Sequence, residues 1–277
     1  MAELRARGRS GARVIGLRTE LARVGIRGRL AQRIVLELEN HLRCDPAADL
    51  GGPREIAERC AEELRVPRTR RATYAGFGAL ALAAVALGAS SKGVSVAGGW
   101  PDAFGGRGAI VAIDGLLIVL AGQVAFVAGV LAIWRVLRRP SDPDDLRLVQ
   151  RRLGFALAAG AVVTAGQALQ SVALHPLLPA WWFALALPAA VVPALALGAA
   201  AHGLRGAVAL TPRVEPRPRV FPWRLVIAIG VGAAVLITVG STYTEDSWAE
   251  GISRGVLEAV AFAVCFAVFG RRLGIRL

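Results

Sequence analysis

From residue 74 to residue 269 the chain alternates long apolar runs with short polar breaks, whereas residues 1–73 are dense in arginine and glutamate. A run of about 18 or more apolar residues is long enough to cross bilayer hydrocarbon as a helix. The mean hydropathy is +0.52, and 55% of the residues are hydrophobic, more than the ~45–50% of a soluble domain. Most of the molecule must therefore face lipid. Six runs stand out, at about 74–91, 109–134, 153–174, 181–204, 225–240 and 252–269. The expected fold is all-α: a small cytosolic three-helix domain followed by a six-helix polytopic transmembrane bundle. Its parts are a basic arm (1–10), a helical domain (11–72) and a transmembrane domain (73–277).

The net charge is +13, but its distribution fits membrane topology better than nucleic acid. Arg135, Arg138, Arg139, Arg147, Arg151 and Arg152 follow the second run, and Arg205, Arg213, Arg217, Arg219 and Arg224 follow the fourth. Arg271, Arg272 and Arg276 follow the sixth, while the other connections hold only Lys92, Arg107 and Arg254. Positive loops stay inside, so both termini are expected in the cytoplasm. The tryptophans provide an independent check. Trp134 and Trp223 fall at inner ends of runs, and Trp100, Trp181, Trp182 and Trp248 at outer ends, the headgroup level that amphipathic rings prefer. The first twenty residues are arginine-rich and lack the apolar core of a cleavable signal. The arginine- and alanine-rich composition is that of a GC-rich bacterial genome, so the expected location is the bacterial plasma membrane.

In the head, Val14, Leu17, Leu21 and Val24 share one face of a first helix (about 12–24), which the turn Gly25-Ile26-Arg27-Gly28 ends. Leu30, Ile34, Leu38 and Leu42 define a second, at 29–43. Pro53 opens a third, where its missing N–H costs nothing. Ile56, Cys60, Ala61 and Leu64 are the stripe of that helix, and Pro67 is expected to stop it. So small a bundle is marginal alone and is expected to lean on a partner or on the membrane surface.

The segments Leu21–Arg29, Ile34–Leu42, Leu50–Ala57 and Ala61–Leu64 resemble the HAAS signalling domain family, also called permease prefix domains. The resemblance covers about 18–71 and rests on the helix pattern and the Glu37–Leu42 stretch. It implies a helical cytosolic module ahead of membrane helices, working beside PadR-like transcriptional regulators or in front of transporter permease segments. It brings no catalytic residues with it.

No catalytic, cofactor-binding or metal site is expected. His41, Cys44 and Cys60 offer three ligands where a closed zinc site takes four, and cysteines in a reducing cytosol are expected free. Glu37 and Glu39 on the second helix disfavour direct nucleic-acid binding. Arg5, Arg7, Arg9, Arg68, Arg70 and Arg71 are placed to contact anionic lipid or a partner. Gly76-Phe77-Gly78-Ala79-Leu80-Ala81 has the letters of a dinucleotide fingerprint without the preceding strand, so its glycines are assigned to helix packing.

The polar residues inside the runs are Asp114, Gln123, Gln167, Gln170 and Glu258. Such groups are costly in hydrocarbon and face a bundle interior or a cavity. Asp114 and Glu258 are each expected within about two turns of the outer interface, with Arg254 four residues from Glu258 on the same helix face. Pro188 and Pro193 imply a kink in the fourth run. The function expected is sensory or regulatory: the bilayer surrounds the helices, and the head docks a cytosolic protein such as a PadR-like regulator. The alternative is a small transporter or permease subunit using Asp114 and Glu258. No internal repeat and no ATPase motif supports that alternative.

Overall fold

The computed structural model describes residues 16–44, 51–96, 107–138, 142–173, 178, 180–212, 219–220, 223–245, 247–270, 272–273 and 275–276. Their order is α1 (16–23), α2 (Arg29–Cys44), α3 (Pro53–Val96), α4 (Gly108–Leu137), α5 (Pro143–Ala173), α6 (Ala180–Ala209), β1 (Arg219–Val220), α7 (Trp223–Glu245), α8 (Trp248–Phe269) and β2 (Ile275–Arg276). Five stretches are helical, long and apolar enough to cross a membrane: Pro53–Ser90, Gly108–Leu137, Pro143–Val172, Ala180–Ala209 and Gly251–Phe269. The remaining expected run coincides with α7, whose described apolar stretch is the shorter Gly230–Thr242. Large apolar side chains such as Ile113, Leu187, Leu195 and Leu236 point outward. This is the surface of a multi-pass membrane protein, because in lipid such groups need no cover. The basic arm, with Arg5, Arg7 and Arg9, lies outside the described residues.

The turn between α1 and α2 is a Schellman motif. Gly25 N–H donates to Ala22 O and Ile26 N–H to Leu21 O, closing the last turn of α1. Gly25 takes a φ of +86°, and the side chains of Leu21 and Ile26 bury together in the head core. At the start of α3, Glu55 reaches back to accept from Gly52 N–H at 3.3 Å, as in a capping box. Pro53 follows as the first helical residue.

Pro67 does not end the third helix. α3 runs unbroken from Pro53 to Val96, so the head's last helix and the first apolar run are one rod. By helix rise it is about 65 Å long. A proline inside a helix deprives the carbonyl four residues earlier of its donor. Here both Pro67 and Glu63 lie on the exposed face, where water satisfies that carbonyl. The expected division at 72/73 falls inside this rod.

In the bundle α4 packs along α5, α3 along α6, and α7 along α8, with further contacts of α5 to α6, α3 to α4 and α5, and α4 to α8. Glycines set the close approaches. A Cβ on Gly160 would sit 2.5 Å from Leu80 and one on Gly129 3.3 Å from it, so Leu80 of α3 is a knob in a hole made by α4 and α5. Gly76 faces Leu153 in the same way, while Gly78 faces open space. On α8, Gly251 and Gly255 abut Thr242 and Thr238 of α7 so closely that no β-carbon fits. This is the small-xxx-small mode of membrane helix pairing.

Candidate functional site

The head is seated on the bundle. Its apolar core joins Leu17, Leu21, Ile26, Val35, Ala57 and Ala61 to Leu210, just past the end of α6. A Cβ on Gly25 would lie 2.9 Å from that of Ala209. Only glycine therefore serves there, both for its backbone angle and for the approach. Arg65 Nε donates to Leu210 O at 3.3 Å.

Beneath this contact sits a buried polar joint. Gln150 of α5 points its Nε2 at Thr211 Oγ1 (2.7 Å), Thr69 Oγ1 (3.0 Å) and Ala207 O (3.2 Å). Its amide carries two hydrogens and so serves two of the three acceptors at a time. Gln150 Oε1 is buried without a partner. Arg147 donates to Thr211 O and Pro212 O, each at 2.8 Å, tying α5 to the end of α6. One side chain thus links the head-bearing helix α3, the central helix α5 and the end of α6.

A second tie holds the tail. Arg152 is buried and donates from Nε to Leu273 O at 2.9 Å, and from Nη1 toward Leu131 O at 3.5 Å. Leu273 is itself fully buried among Val127, Leu131, Ala156 and Phe262. Ile275 and Arg276 then pair in parallel with Arg219 and Val220. Arg135 is bridged to Asp145. The sequence pattern places these arginines in a solvated connection. In the structure Arg135, Arg147, Arg151 and Arg152 stand on the helices α4 and α5, and Arg152 is internal.

The five intramembrane polar residues do not form one site. Gln123 Nε2 donates to Glu258 Oε1 across the α4–α8 contact. Gln123 is the middle residue of α4, and Glu258 lies ten residues into α8, about 15 Å along its axis. Within the apolar stretch Gly251–Phe269, Glu258 stands seven residues, about two turns, from the Gly251 end. Gln167 belongs to a different set. Its Nε2 donates to Ser90 Oγ at 2.5 Å and Ala86 O at 3.2 Å, while Trp182 Nε1 donates to Ser90 O at 3.2 Å. Trp182 is 2% exposed, so it serves as an interhelical donor rather than as part of the headgroup belt. Trp181, Trp134 and Trp248 remain exposed, and the Arg138 guanidinium lies 4.8 Å above the Trp134 ring. Asp114 is buried against Gly166 and Ile118 of the α4–α5 contact. Asp114 has the side chain of Gln170 as its polar neighbour across the same contact.

Apolar grooves open on the described surface. One, of about 480 Å³, is lined by Leu117, Val124, Phe155, Val162 and Cys265 among others, all apolar. Another, of about 700 Å³, lies between α5 and α6 and ends at Arg205. Neither includes Asp114, Gln123 or Glu258.

On the head, Arg70 and Arg71 are exposed and Arg68 is half-buried beside Gly206. Cys60 packs into the head core, where burial and the nearby Glu63 push its thiol above the ordinary range. Cys44 is exposed at the end of α2. Among the described residues no three His, Cys, Asp or Glu side chains cluster as metal ligands.

Sequence reasoning did not find Gln150, Thr69, Thr211, Arg152 or the Gly251–Gly255 pair as structural centres. Only the last carried a local signal, its four-residue spacing. No protein-family model, no curated protein and no solved structure matches the chain.

Proposed function

We propose that this chain is a six-span regulatory protein of the bacterial plasma membrane, with both termini in the cytoplasm and a HAAS-like head that docks a cytosolic protein. The observation that carries this reading is the continuity of α3: residues of the head core and of the bundle core lie on one helix. A shift of α3 against α5 and α6 moves the head directly, and Gln150 sits where that shift is felt. The docking surface is the outward face of α2, where Leu36 is 57% exposed between Arg33 and Glu37. A PadR-like regulator is the candidate partner, on the strength of the head resemblance.

The test is in-membrane cross-linking of the full-length protein and of Leu36→Asp, read by mass spectrometry. A soluble regulator captured by the wild type and lost from Leu36→Asp supports the proposal. Equal capture by both, or no soluble protein above empty membranes, defeats it. A transporter role is the second reading, favoured by the carboxyl groups of Asp114 and Glu258, each set among apolar helices beside a glutamine. It requires Asp114→Asn or Glu258→Gln to abolish a flux while assembly persists.

A further inference from the structure

We propose that the groove between α5 and α6 is a binding site for one anionic phospholipid of the head-side leaflet, with an acyl chain in the groove and its phosphate on Arg205 and Arg151. The argument begins with what fails to fill the space. α5 and α6 meet on their inner side, where Leu157, Leu197 and Leu204 join the bundle core and a Cβ on Gly154 would meet Leu204 at 3.9 Å, an ordinary van der Waals contact. On the outer side the facing positions are small, among them Ala158, Ala161, Ala165, Ala194 and Gly198. A trench of about 700 Å³ remains. Small residues at a helix pair ordinarily let the backbones close; here they leave a slot whose walls are exposed along the bundle.

The slot has direction. It runs along α6 from Ala190 to Arg205, about 22 Å by helix rise, which is more than the ~15 Å hydrocarbon depth of one leaflet. Its sole charged lining residue is Arg205, at the head-side end. Arg151 lies three residues, just under one helical turn, before the lining residue Gly154 of the facing wall, and both arginines are exposed. Neither takes part in an ion pair among the described residues. Asp145, near the start of α5, is turned toward Arg135. An apolar slot of acyl-chain depth with unpaired guanidinium groups at headgroup level is the arrangement that retains acidic lipids between membrane helices. The groove among α4, α5 and α8 is the internal contrast: similarly apolar, without a charged lining residue, it has nothing with which to select a headgroup.

Native mass spectrometry of the detergent-purified full-length chain tests this, with dioleoylphosphatidylglycerol or dioleoylphosphatidylcholine added in turn. The wild type should retain one phosphatidylglycerol in preference to phosphatidylcholine by about fivefold per engaged arginine, the ratio that one cation near a charged headgroup gives. Arg205→Gln combined with Arg151→Gln should remove the preference while leaving some lipid bound. Gly198→Leu should remove the retained lipid altogether. Its new side chain enters open space, since a Cβ there meets nothing within 4 Å, so the fold is preserved. Equal retention of the two lipids by the wild type, or undiminished phosphatidylglycerol on Gly198→Leu, overturns the proposal. Neither outcome depends on whether the head docks a regulator.

Discussion

The head-side end of the bundle and the part farther from the head are held by different chemistry. At the head side the ties are cationic or multiply bonded: Arg147 to Thr211 O and Pro212 O, Arg152 to Leu273 O, Arg135 to Asp145, and Gln150 to two threonines. Farther along the bundle from the head they are a single amide–carboxyl bond between Gln123 and Glu258, a glutamine–serine bond, and close approaches at Gly160, Gly230, Gly251 and Gly255. The difference follows from the solvent. A guanidinium is tolerated where its remaining donors reach water or carbonyls, whereas hydrocarbon favours contacts that put no charge at risk. Specific geometry is thus built by arginine where water is near, and by missing side chains where it is not.

That contrast can be broken or sharpened by substitution, beginning with the largest effect. Gly255→Leu places a side chain inside Thr238 and should pry α7 from α8, at a cost of about 3 kcal/mol or more. Loss of the protein from detergent extracts at moderate temperature is the expected readout, and a normal melt would show that glycine packing is not what holds the farther part. Arg152→Leu strips Leu273 O of its donor and should cost about 2 kcal/mol, typical of a charged hydrogen bond, while exposing the tail to carboxypeptidase. Gln150→Leu should cost about 1 kcal/mol and, beyond that, speed limited proteolysis between head and bundle.

Glu258→Gln keeps the shape and leaves an amide facing Gln123, so a loss under about 1 kcal/mol is expected. A melt as depressed as that of Arg152→Leu would mean that the farther part also depends on charge. The smallest effect is kinetic. Cys60, packed in the head core with its thiol pushed upward, holds less thiolate at pH 8 than an unperturbed thiol and should react with maleimide about tenfold more slowly than exposed Cys44. Equal rates would mean that the head is not packed as described.

Much of this was legible from residue order. Four of the apolar runs locate their helices within about five residues, because burial in lipid is a property of composition and length, whereas α3 and α5 begin well before their runs, at Pro53 and Pro143. The turn at Gly25–Gly28 was legible too, since a left-handed residue calls for glycine. Pro67 misled, because the rule that proline stops a helix is local. Its exemption comes from solvent at Glu63, which only the helix's surroundings decide. The pairing of Gln123 with Glu258 joins residues 135 apart, and nothing in either neighbourhood announces the other. Arg152 looked like one more loop charge because counting charges fixes the side of the membrane and says nothing about which of them turns inward. The docking of Leu210 into the head core was hidden for a related reason: an apolar residue at the end of an apolar run reads as more membrane.

Arg152 and Leu273 also impose an order on synthesis. They are 121 residues apart, so the ribosome finishes Arg152 long before the carbonyl that it holds exists. During that interval the guanidinium has no permanent seat in the protein, and burying it there uncompensated is costly. It must wait at the water boundary while α6, α7 and α8 are inserted. The head-side end of α5 therefore cannot take its final packing until the Leu273 segment arrives, and a segment made late is what closes contacts laid down early.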